Sequence, residues 1–119
     1  MKKEKRSVCL VLNQNETNIL KPVLEWQIAA YKRSKEETNF DYEQSPNYSF
    51  FNNLLWKMNN NSGVVVIDSE DFNYNPNTIL LLACLISIES ESKDKEQEKE
   101  YKALEERFHA YKNSLKASV

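Results

Sequence analysis

Three carboxylates follow a short apolar run. Val64-Val65-Val66-Ile67 leads straight into Asp68, Ser69, Glu70 and Asp71. Acids grouped at the end of a buried strand are one way to hold a hard divalent cation, which takes roughly 6–8 oxygen ligands. They are also what a helix start requires, because its free N–H groups and its dipole both favour a carboxylate. An internal comparison decides between the two. Val8-Cys9-Leu10-Val11-Leu12 is a similar apolar run, followed by Asn13, then Glu16 three places on, then Pro22. Val64 to Ile67 is followed by Asp68, then Asp71 three places on, then Pro76. The two stretches read as one strand–cap–helix unit used twice. Asn13 and Glu16 make a poor cation site, so Asp68 and Asp71 are read as caps, and no metal ligand is assigned.

Other reactive side chains are few. His109 is the one histidine, set in a charged segment, and no base stands near it in sequence to build a triad with Cys9 or Cys84. Neither a CxxC nor a Cys/His spacing is present, which argues against zinc. Both cysteines lie in apolar runs and are expected to be buried free thiols. Gly63 is the only glycine. Phosphate-binding loops, dinucleotide fingerprints and nucleophile elbows all need close backbone approach at several glycines, so none can be built. The expectation is a non-enzymatic protein with no cofactor and no catalytic residue.

The elements that would position side chains follow from pattern. A chain of 119 residues suits one core. Residues 1–6 form a basic tail, Lys2-Lys3-Glu4-Lys5-Arg6. An α+β core is expected over 7–91 and an amphipathic C-terminal helix over 92–119. The fold class is α+β and mostly helical, about four helices with two short strands forming a minimal sheet. Val8 to Leu12 and Val64 to Ile67 are the strands, each read as buried on both faces because its apolar run is continuous. The capping box at Asn13 and Glu16 starts the first helix, which Pro22 either kinks or divides and which frays from Lys32. Ser45-Pro46 and Asn75-Pro76 start the next two helices as a cap plus a proline in the first turn. A break is expected between Ser87 and Ser92, where the composition is a poor helix former.

Two sets of apolar residues bear on function. Trp26, Tyr42, Tyr48 and Trp56 lie off or beside the apolar stripes and are assigned to partner contact, since exposed aromatics anchor protein interfaces. Tyr101, Leu104, Phe108, Tyr111 and Leu115 recur at three and four, a heptad seam on a charged helix. The seam must be covered, either by packing back on the apolar third helix or by the same helix of a second chain, and it is assigned to a homo-oligomeric contact as the favoured of the two. Net charge is −2, which gives no general attraction to nucleic acid or to an anionic membrane. No apolar run approaches the ~20 residues of a membrane span, and the run after the basic tail is too short for a secretory leader. A cytoplasmic setting is expected. Scarce glycine with abundant Asn, Lys and Glu suits an AT-rich genome of the phage or mobile-element kind. The expected function is a small protein–protein interaction module, an inhibitor, immunity or regulatory protein. The alternative is a nucleic-acid or nucleotide binder using the basic tail and the aromatics.

Overall fold

The computed structural model describes residues 8–38, 45–61, 63–72 and 75–118, with side chains as far as Leu115. In chain order the elements are β1 (Cys9–Leu12), α1 (Gln14–Thr38), α2 (Pro46–Asn60), β2 (Val65–Asp68), a 3-10 turn (Ser69–Phe72), α3 (Pro76–Ser90) and α4 (Lys95–Ser118). β1 and β2 pair antiparallel in a two-stranded sheet. The mostly helical α+β class is therefore as expected from the sequence. The chain divides into two compact units, one over Val11–Val65 and one made of residues up to Leu10 with Val66–Val119.

Both strands alternate. β1 buries Leu10 and Leu12 and exposes Cys9 and Val11, while β2 buries Val65 and Ile67 and exposes Val66. The expectation of strands buried on both faces is thus corrected. A continuous apolar run specifies a strand but not how many of its faces are covered. The same correction applies to the cysteines. Cys9 lies on the exposed face of β1 and Cys84 on an exposed side of α3, and both are free and solvent-accessible.

In the unit Val11–Val65, α1 opens on a reciprocal capping box. Asn13 Oδ1 accepts from the Glu16 N–H at 2.9 Å, and Glu16 Oε1 accepts from the Asn13 N–H at 3.0 Å. The helix then runs unbroken to Thr38, with Pro22 inside it. Proline removes one N–H, so the Asn18 carbonyl has no partner at its fourth following residue. Pro22 and Asn18 are both exposed, so solvent can serve that carbonyl. Val23, Leu24 and Ile28 carry the buried stripe of α1, and Phe50, Phe51, Leu54 and Met58 that of α2. Tyr31 joins them, with its ring 5.7 Å from Tyr48 in an edge contact and 6.4 Å from Phe51. Ser45 sits at the start of α2 before Pro46 but makes no side-chain capping bond. Gly63, at φ +96°, takes the left-handed turn that follows α2, a conformation that other residues adopt only with strain.

In the second unit, Asn75 caps α3 by accepting from the Asn77 N–H at 3.1 Å. The helix ends at Ser90, within the expected break. Glu91, Ser92 and Lys93 donate back to the carbonyls of Ile88, Glu89 and Ser90, closing a tight turn. Asp94 then restarts the chain by accepting from the Gln97 N–H at 2.9 Å. The result is a helical hairpin in which α4 packs along α3.

Of the two places expected to cover the C-terminal seam, the hairpin supplies the packing against α3 and not the contact with a second chain. Leu104, Phe108, Tyr111 and Leu115 are 1%, 0%, 4% and 0% exposed in the single chain. Tyr101, the fifth seam residue, is half-buried under the Lys93 ammonium, 5.7 Å from its ring centre. Each fully buried Leu or Phe contributes about 1.5–3 kcal/mol, so the seam belongs to this unit's core. α3 is apolar nearly all round and needed cover. The short turn at 91–94 brings α4 back to supply it, which the polar composition of that stretch did not reveal.

Candidate interaction surface

Two of the three acids at the end of β2 and just beyond it, Asp68 and Asp71, are engaged with backbone. Asp71 Oδ2 accepts from the Asp68 N–H at 3.0 Å, and Asp68 Oδ1 accepts from the Glu70 N–H at 3.1 Å. One half matches Asn13 and Glu16, the acid three places on accepting from the first residue's N–H; the other half differs, since Asp68 accepts from Glu70 and not from Asp71. His109 Nε2 lies 3.3 Å from Glu105 Oε2, one turn away on α4. Among the described residues no group of three or more His, Cys, Asp or Glu side chains is placed to hold a metal ion.

The residues assigned to partner contact separate into different environments. Tyr42 and the basic tail lie outside the described residues. Tyr48 is half-buried against Tyr31, so much of its ring serves the packing of α1 on α2. Trp26 is 45% exposed. Its neighbours one turn away include the buried Val23, and it stands at the border of the α1 core stripe.

Trp56 is different. It is 65% exposed, on the face of α2 opposite Phe51, Leu54 and Met58. The residues three and four places away in each direction are Asn52, Asn53, Asn59 and Asn60, and all four are exposed. These positions surround a helical side chain on the surface. Asn60 Nδ2 also donates to the Trp56 carbonyl at 2.8 Å, holding one of these amides against the helix. The indole is therefore a single large apolar group within a ring of uncharged amides. The position of Trp56 off the apolar stripe is legible from spacing, and the ring is legible from its i±3 and i±4 neighbours, all asparagine.

Other exposed apolar side chains are Val11 at 50%, Val64 at 57%, Val66 at 43% and Ile88 at 57%. Val11 and Val66 follow from the one-sided burial of the strands, which the continuous apolar runs concealed, and Val64 precedes β2. Among the described residues no helix is long and apolar enough to cross a membrane.

No protein-family model matches the chain, and no curated protein or solved structure matches it significantly.

Proposed function

We propose that this protein is a non-enzymatic interaction module, of the inhibitor, immunity or regulatory kind, which docks on another protein through the outer face of α2 with Trp56 as its anchor. The observation that carries this reading is the 65% exposure of Trp56 within Asn52, Asn53, Asn59 and Asn60. An indole left in water contributes little to folding, whereas tryptophan is among the side chains most enriched at the energetic centres of interfaces. A polar rim that excludes water around such an anchor is the arrangement in which truncation costs most. Because the four surrounding side chains are uncharged, the association should depend only weakly on salt.

A nucleic-acid surface would use the same indole for stacking, but it would set cations beside it to meet phosphates. Trp56 has amides in all four neighbouring positions. A reducing, cytoplasmic setting fits two exposed free thiols, Cys9 and Cys84.

The test is affinity capture from the native host with the wild type and with Trp56→Ala. A protein retained by the wild type, lost with the variant and retained in high salt supports the reading. Co-purified nucleic acid that is lost at high salt would support the alternative.

A further inference from the structure

Gln14, Thr17, Asn18 and Lys21 fall at i, i+3, i+4 and i+7 and so share one face of α1. Together with Met58, Asn59, Asn60 and Asn61, at the C-terminal end of α2, they line a cleft of about 390 Å³ within the unit Val11–Val65. That volume is within the range of small-ligand sites. Among the described residues that line it, five of eight are amides, one is a hydroxyl and one is a cation, and none is a carboxylate or an aromatic ring.

This lining suits few ligands. A nucleobase would find no ring to stack on. A metal cation would find no carboxylate. An anion would meet Lys21, but also the C-terminal end of α2, whose dipole places about half a negative charge there. Met58, the one apolar lining side chain, is buried and offers little surface to an apolar ligand. What the cleft does offer is donors beside acceptors. Gln14 Nε2 donates to Asn18 Oδ1 at 2.9 Å, which leaves the Gln14 oxygen as acceptor and the Asn18 amino group as donor. Thr17 Oγ1 donates its proton to the Gln14 carbonyl at 2.9 Å, and its side chain, 6% exposed, offers a ligand little more than Met58 does. The Asn18 carbonyl lacks its helical partner because residue 22 is proline. Lys21 makes no ion pair among the described residues and keeps three donors. Hydroxyl groups, each at once donor and acceptor, are the chemistry that answers such a lining.

We propose that this cleft binds an uncharged, hydroxyl-rich small molecule, a monosaccharide or polyol. The cleft shares Asn59 and Asn60 with the amides around Trp56, but the proposal does not rest on the partner reading, since the Trp56 indole is not part of the lining.

Nitrogen-resolved NMR of the full chain tests it, with D-glucose, N-acetyl-D-glucosamine and myo-inositol as probes and phosphate as the charged comparison. At least one polyol should move the side-chain amide signals of Gln14, Asn18, Asn59, Asn60 and Asn61 saturably, with a midpoint in the millimolar range expected of an open site. Asn18→Ala and Asn60→Ala, both at exposed positions, should each raise that midpoint about fivefold, with spectral changes confined to the cleft and to the Gln14 and Trp56 groups these amides touch, as loss of one hydrogen bond to the ligand requires. The proposal is overturned if none of the three polyols moves these signals, if phosphate moves them more than any polyol, or if both variants titrate as the wild type does.

Discussion

Tyr111→Phe removes one oxygen atom from the core and leaves the ring in place. The Tyr111 hydroxyl is close to two backbone carbonyls, Val8 at 2.5 Å and Ile67 at 3.4 Å, and the residue is 4% exposed. The shorter contact is the bond to consider. Its loss would not orphan the Val8 carbonyl, which also accepts from the Ser69 N–H at 3.0 Å. The cost should therefore be that of one net buried hydrogen bond, about 1–1.5 kcal/mol, rather than the larger penalty of an unsatisfied carbonyl. For a chain of this size that lowers Tm by roughly 3–6 °C. The ring itself should stay put, edge-on to Phe72 with centres 6.1 Å apart. The same hydroxyl sets an alkaline signature. Burial, assisted by the nearby Cys9, Asp68 and Asp71, pushes the Tyr111 phenol well above its ordinary range. Above about pH 10 the unfolded chain loses this proton while the folded chain keeps it, so the stability it contributes is intact below pH 10 and falls by about 1.4 kcal/mol per pH unit above it. Urea denaturation of wild type and Tyr111→Phe at neutral pH and across the alkaline range measures both effects. The variant should be less stable at pH 7, and its stability should fall less steeply above pH 10. A cost below about 0.3 kcal/mol at neutral pH, or identical alkaline slopes, would refute the assignment of this bond.

Three further outcomes are expected. Asp68→Ala should cost about 1 kcal/mol as a lost cap, and calorimetric titration of the wild type with Mg²⁺, Ca²⁺ and Mn²⁺ should show nothing tighter than millimolar; a micromolar site lost in Asp68→Asn would reverse that reading. Leu104→Ala should destabilise by about 2–5 kcal/mol with no change in light-scattering mass, because its side chain is buried within the chain; a variant that stays folded but changes mass would restore the assembly reading. Cys9 and Cys84, both exposed, should react with a thiol reagent in the native state at rates near those of the denatured chain, and protection of either until unfolding would contradict its placement.

The boundaries of the elements were largely readable because they rest on local chemistry. Asn13 with Glu16 and Asn75 with Pro76 each satisfy or dispense with N–H groups at a helix start, and those needs are met within four residues of sequence. The break after Ser90 is readable for the same reason, and Asp94 with Gln97 is a capping signal of the same kind. What could not be read was burial. The runs Val8 to Leu12 and Val64 to Ile67 are apolar at every position, so alternation gave no sign that Cys9, Val11 and Val66 face solvent. The seam of α4 had the right spacing for a coiled coil, and only the direction in which α4 leaves the turn at 91–94 determines that α3 covers it. Pro22 illustrates the converse. It is a local signal for a broken helix, overridden because α1 buries Leu20, Val23 and Leu24 on either side of it. For the candidate surface, the position of Trp56 off the apolar stripe is visible from spacing, but its environment of four asparagines depends on α2 continuing through Asn60, where a run of asparagines reads as a helix end.

Trp56→Ala, measured for stability and for partner capture on the same preparation, tests the central claim most directly. If Trp56 is an anchor on the outer face of α2, the variant melts within a degree or two of the wild type, since the indole is 65% exposed, and it loses about 2 kcal/mol or more of binding to whatever protein the wild type retains. If the variant instead melts far lower, or captures the same protein as well as the wild type does, Trp56 is not the anchor and the outer face of α2 is not the docking surface.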